Sequence, residues 1–283
     1  MPNRKNLKYS IIEGSFFALM FGLGENYLSA LGVFLGYSAL QISVLGSLPQ
    51  LGGALIQLVS NNLAKAFKSM KRVVVMLSLA QSVMWLLLVI VIANTGNYLI
   101  ILLWAVIYFA IASAMGPVWI SWIGYLVPKS IRSNYHANRN RIINTLIFTS
   151  ILIGGLILKI FEDNMILAFS IMFAIAAIGR LFSAYYLNKK DDAGNTDDGD
   201  AYSYKNILQS RRKMLFIAYN TSIHFSVMFL GPLFTIYIYP SFDSIKLLSS
   251  KAISSALSSI EFTDCLRVNS FLGEFAYKQV AKS

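Results

Sequence analysis

The sequence predicts an all-α integral membrane protein, and three observations predict it. Of its 283 residues, 56% are hydrophobic and only 13% are charged, about half the charged share of a soluble domain. The apolar residues gather in runs of about 19–26, enough to cross a hydrocarbon core of roughly 30 Å at about 1.5 Å per residue of helix. The connections between the runs alternate between basic and non-basic, as membrane topology requires. A barrel is excluded, because its strands take about 9–11 alternating residues, and these runs are twice that length without alternation.

The N-terminus is basic at Arg4, Lys5 and Lys8 and enters an apolar run, 11–35, with no small-residue cleavage site. It reads as a first spanning helix rather than a cleaved signal. The second span, 40–63, contains Pro49 and ends in a cluster of Lys65, Lys68, Lys71 and Arg72. The third, 73–93, ends at ANTGN, a turn of uncharged turn formers. The fourth starts near Tyr98 and fades by 124–127. VPKSIRSNYHANRNRI, 127–142, then connects to a fifth span, 142–160, and the acidic turn FEDN precedes a sixth, 165–187. Residues 1–187 are thus expected to form a six-helix bundle. A polar, Gly/Asp-rich linker, 188–213, and a seventh span, 214–239, should follow, then a Ser-rich tail, 240–283, that cannot span.

The net charge of +11 suggests nucleic acid only until its placement is read. The basic residues lie at the N-terminus and in the second, fourth and sixth connections, so the charge sets orientation, and no nucleic-acid partner is expected. The positive-inside rule puts the N-terminus and the 188–213 linker in the cytoplasm, beside membrane lipid, in a cell inner or plasma membrane. Cys265 is the single cysteine, and His136 and His224 are the only histidines. No disulfide framework, metal constellation or cofactor is expected.

Three stretches resemble the major facilitator superfamily of secondary transporters. EGSFFALMFGLGENYLSALGVFLG, 13–36, is similar to its first helix, and SVLGSLPQLGGALIQL, 43–58, to its second. WISWIGYLVPKSIRSNYHANRNRI, 119–142, is similar to its fourth helix and the turn into the fifth, with the resemblance on Val127, Pro128, Arg132, Tyr135, Arg139 and Arg141. The signature between helices two and three departs from the pattern. Lys65 stands at its acidic position and Lys68 at its glycine, and only Lys71 and Arg72 keep its basic end. The resemblance implies the six-helix N-terminal half of a major facilitator-type bundle plus a seventh helix. It also implies alternating access for a small solute, with protons as the coupling ion. The pattern stops after 239, so a truncated, non-transporting fragment or a partner-dependent membrane protein is the alternative expectation. A seven-helix sensor would need an external N-terminus, and an intramembrane enzyme would need a catalytic motif at helix depth.

Ionisable side chains at helix depth are costly and mark function or specific pairing. Glu25, flanked by Gly22, Gly24, Asn26 and Tyr27, is the candidate for proton coupling or contact with a cationic solute; a structural hydrogen bond is its alternative. Glu13, three turns earlier, belongs with cytoplasmic-side arginines. Arg180 is expected toward the cytoplasm, pairing with Glu13 to close the inner side, or snorkelling. Arg132, Arg139 and Arg141 are further candidates for the cytoplasmic gate. Asn220 and His224 share a face of the seventh span, as solute contacts or as packing. Pro49, Gly116–Pro117 and Gly231–Pro232 are expected to interrupt their helices, and Gly154 to admit a close neighbour. Tyr27, Trp85 and Tyr108 are expected near the cavity.

Overall fold

A computed structural model describes residues 4–57 and 67–192, together with positions 211, 214, 215, 218, 219 and 221–223. The chain divides into two units, 1–196 and 197–283. The described positions of the second unit are all helical. Most of the expected seventh span, with Asn220 and His224, lies outside the described residues, as do Lys65, most of the linker and the 240–283 tail.

The first unit is helical throughout its described elements: α1 Arg4–Leu23, a 3-10 turn Glu25–Tyr27, α2 Leu28–Phe34, α3 Ala39–Gln57, α4 Met70–Asn94, α5 Tyr98–Leu126, α6 Arg132–Ile160 and α7 Met165–Asn188. Among the described residues five helices are long and apolar enough to cross a membrane: Arg4–Phe34, α4, α5, α6 and α7. Helix α3 covers the expected second span as far as Gln57 and is not one of the five. The protein is therefore a multi-pass helical membrane protein.

The caps come from the turns the sequence marks. Ser69 Oγ accepts from the Arg72 amide at 3.1 Å, Asn97 Oδ1 from Leu99 at 2.9 Å, and Asn164 Oδ1 from Leu167 at 3.1 Å. Each satisfies an otherwise orphaned N–H at the start of α4, α5 or α7. One expected connection is shorter than hydropathy suggests. Helix α6 starts at Arg132, so most of 127–142 is helix despite its polar sequence.

The helix breaks also differ from expectation. Helices α3 and α5 run through Pro49 and Pro117. The interruption falls instead at Gly24, inside the first span. A Cβ there would sit 2.6 Å from the Trp85 ring, so only glycine admits the indole at the turn. Asn26 Nδ2 donates to the Phe21 carbonyl at 2.9 Å, satisfying one backbone acceptor near the break.

Helix α7 packs between α1 and α4. Helix α1 also packs on α6, α4 on α5, and α5 on α3. Exchanging the first three helical segments (α1–α2, α3, α4) with the last three (α5, α6, α7) maps this set of five packings onto itself. The α1–α7 contact becomes α5–α4, α3–α5 becomes α6–α1, and α4–α7 becomes its own image. Trp85, Trp104, Tyr108, Phe169 and Phe173 fill the core between them. Outward faces of α4 and α7 expose Met76, Leu86, Ile90, Ile178 and Leu181, a surface suited to lipid rather than water.

Candidate functional site

Ionisable side chains gather in two layers. The first lies at the basic end. Glu13 follows Ser10 by less than one turn of α1 and precedes Gly14. A side chain at Gly14 would come within 2.8 Å of Arg139 Nη2, so this glycine lets the guanidinium lie flat against α1. Arg139 Nη2 and Lys190 Nζ both donate to Glu13 Oε1, at 3.0 and 3.1 Å. Arg139 Nε donates to the Ser10 carbonyl at 3.1 Å. All three charged side chains are buried. Two indoles of α5 cover the cations, Trp119 with Arg139 at 4.7 Å and Trp122 with Lys190 at 5.3 Å, adding attraction from the ring faces.

Lys190 reaches this place because the chain folds back after α7. Asn6 Nδ2 donates to Asp191 Oδ2 at 2.9 Å, the Asp191 amide donates to Asn6 Oδ1 at 3.1 Å, and Trp122 Nε1 donates to the Asp191 carbonyl at 3.1 Å. Burial pushes the Lys190 ammonium below the ordinary lysine range, while Glu13 opposes that shift. One carboxylate and two cations leave the cluster with an excess positive charge.

Of the three candidate gate arginines on this turn, only Arg139 joins the cluster. Arg132 caps the end of α5, donating to the Gly124 and Val127 carbonyls. Arg141 is exposed and donates to Asn138 on its own helix at 3.2 Å. The expected ion pair between Arg180 and Glu13 is also replaced. Arg180 donates to Gln81 Oε1 at 2.8 Å and to Ser183 Oγ at 3.2 Å, with Phe17 beneath it at 5.4 Å. Phe17 is one turn deeper than Glu13 on α1, about 6 Å along the axis. That depth gives Arg180 a neutral amide partner and leaves Glu13 to Arg139 and Lys190.

The second layer is at the break in the first span. Tyr108 donates from its hydroxyl to Glu25 Oε1 at 2.7 Å. Glu25 is half-buried, whereas Tyr108 and Trp85 are fully enclosed. Trp104 stacks on Tyr108 and Trp85 meets it edge-on, each at 5.1 Å between centroids. Tyr27 is buried too, donating to the Ile151 carbonyl at 2.5 Å with its ring over Gly154. These three aromatics therefore pack the core instead of lining an open cavity, and Gly154 gives the close approach expected of it. Glu25 stands at the edge of that core and is partly exposed.

Polar exposed side chains run along two helices. On α3 they are Ser43, Ser47, Gln50 and Gln57; on α6 they are Arg141, Thr145 and Thr149. The spacings of four, three and seven residues keep each set on one face. The hydroxyls of Ser47, Thr145 and Thr149 donate to carbonyls one turn back, which satisfies them within their own helix. Among the described residues no group of three or more His, Cys, Asp or Glu is placed to hold a metal.

Sequence reasoning anticipated Glu13 with an arginine and singled out Glu25, but it missed Lys190, Gln81 and the bond from Tyr108. The partners lie 177, 99 and 83 residues apart along the chain, with no local pattern to signal them. No family model, curated protein or solved structure matches the chain.

Proposed function

We propose that the chain moves a small solute across a membrane by alternating access, with proton coupling through Glu25. The observation that carries this reading is the agreement between the packing exchange and the polar faces. The exchange that maps the first three helical segments onto the last three pairs α3 with α6, and these two helices carry the exposed polar stripes. It pairs α4 with α7, and those two expose apolar faces. Three spans per repeat reverse the second repeat in the membrane, the inverted arrangement of many secondary transporters. A polar face at membrane depth suits a water-filled path.

Support for the major facilitator resemblance comes from Lys68. It stands where the family signature has glycine, and its φ is 50°, the only positive φ of a non-glycine among the described residues. That conformation favours glycine. On this reading the N-terminus and the basic cluster face the cytoplasm. The cluster braces α1, α6 and the end of α7 against α5, so that the bundle moves as one body rather than deforming internally. Glu25, held by Tyr108 on one oxygen, keeps an open side from which to exchange its proton with solute or water.

The test uses proteoliposomes loaded with a pH-reporting dye and presented with sugars and amphipathic cations. A solute-evoked proton movement that disappears in Glu25→Gln is the expected result. A movement of unchanged size in that variant contradicts the coupling assignment.

A further inference from the structure

The structure holds a groove of about 500 Å³ on the outer face of α4 and α7, within the roughly 300–1,000 Å³ typical of small-molecule sites. Val75 and Leu79 form one wall, Leu181 and Tyr185 the other, with buried Ala184 among the lining residues and Asn188 at the basic end. The small alanine between larger neighbours makes the depression. None of this lies in the layers described above, and the walls are apolar except at that one end.

Charge collects at the same end. Arg72 precedes Val75 by three residues and Leu79 by seven, so it shares the groove-facing side of α4. It is exposed. Lys189 follows Tyr185 by four residues on α7, and its Nζ lies 4.4 Å from the Tyr185 ring centroid. The nearby Asp192 carboxylate is engaged by the Ser69 hydroxyl at 2.6 Å. An apolar trough that opens in the hydrocarbon layer and ends beside two cations matches the two parts of an anionic lipid. Basic pockets between transmembrane helices recognise such headgroups through charge.

We propose that this groove holds an acyl chain of an anionic phospholipid, whose phosphate is taken by Lys189 and Arg72. The choline headgroup of phosphatidylcholine returns a positive charge to the same place, so the site discriminates between headgroups carrying identical chains.

Native mass spectrometry of the full chain, released from bilayers of equal phosphatidylglycerol and phosphatidylcholine, tests this. Retention of phosphatidylglycerol about tenfold over phosphatidylcholine is expected, from two basic side chains acting on one phosphate. The preference should fall to near unity in the Arg72→Gln, Lys189→Gln double variant. Leu79→Trp, which fills the trough from an exposed position, should reduce retention of both lipids. Equal retention by the parent protein, a preference that survives the double variant, or lipid still held by Leu79→Trp each overturns the proposal. A lipid-free dimer overturns it in favour of a second copy as the occupant.

Discussion

Glu13→Gln is expected to lower stability by about 3–5 kcal/mol, the usual cost of removing one partner from a buried ion pair. Glu13 Oε1 is the shared acceptor of Arg139 and Lys190. The glutamine is nearly isosteric, so packing is preserved and the loss isolates charge. Two buried cations then face each other without a carboxylate, and indole faces replace only part of its attraction. Arg139→Gln should cost less, because it leaves Glu13 and Lys190 as a one-to-one pair. Thermal unfolding in lipid nanodiscs reads the order: Glu13→Gln lowest, Arg139→Gln intermediate, parent highest. A Glu13→Gln protein as stable as the parent would show that the cluster contributes nothing.

Gly22→Ala carries the second large effect, about 1–3 kcal/mol of destabilisation from overpacking. A Cβ at Gly22 would run into the Ser150 Cβ, and it would stand 3.0 Å from the Ile147 carbonyl and 3.4 Å from the Ile151 amide. Those atoms are backbone or close to it and cannot swing aside. Helices α1 and α6 must part instead, which also disturbs the Tyr27 bond to Ile151. Gly124→Ala is the control, since nothing lies within 4 Å of a Cβ there. Alanine is the better helix former by roughly 1 kcal/mol at both sites, so the difference between the two variants reports the close helix contact. Equal unfolding temperatures would mean that the α1–α6 approach is looser than it stands.

Much of the helical framework was legible because hydropathy reports the solvent around each segment. The expected spans at 73–93 and 165–187 fall close to Met70–Asn94 and Met165–Asn188. The errors occur where solvent and secondary structure part company. Helix α6 begins ten residues before its apolar run because Arg132, Asn134 and Arg139 are helical although polar. The break at Gly24 is set by the Trp85 ring, a tertiary fact with no local mark. Pro49 and Pro117 carry the local mark and yet sit within continuous helices.

The site was legible only in part for the same reason. Glu13 and Glu25 stand out as charges among apolar residues. Lys190 stands in a polar run, where a lysine promises exposure, yet its side chain turns under the bundle because Asn6 and Trp122 hold Asp191. Gln81 and Tyr108 look unremarkable in sequence, and they matter because Arg180 and Glu25 need polar partners at depth.

The central claim is that α3 and α6 present their polar faces to a water-filled path. Single cysteines placed at Gln50, Thr145 and Thr149 in a Cys265→Ser background, then exposed to a water-soluble maleimide in intact bilayers, test it most directly. Cysteines at Leu86 and Ile178, on the apolar outer faces of α4 and α7, serve as references. The account predicts rapid labelling at the three polar positions and little at the two apolar ones. Labelling at Gln50, Thr145 and Thr149 as slow as at Leu86 and Ile178 would contradict it.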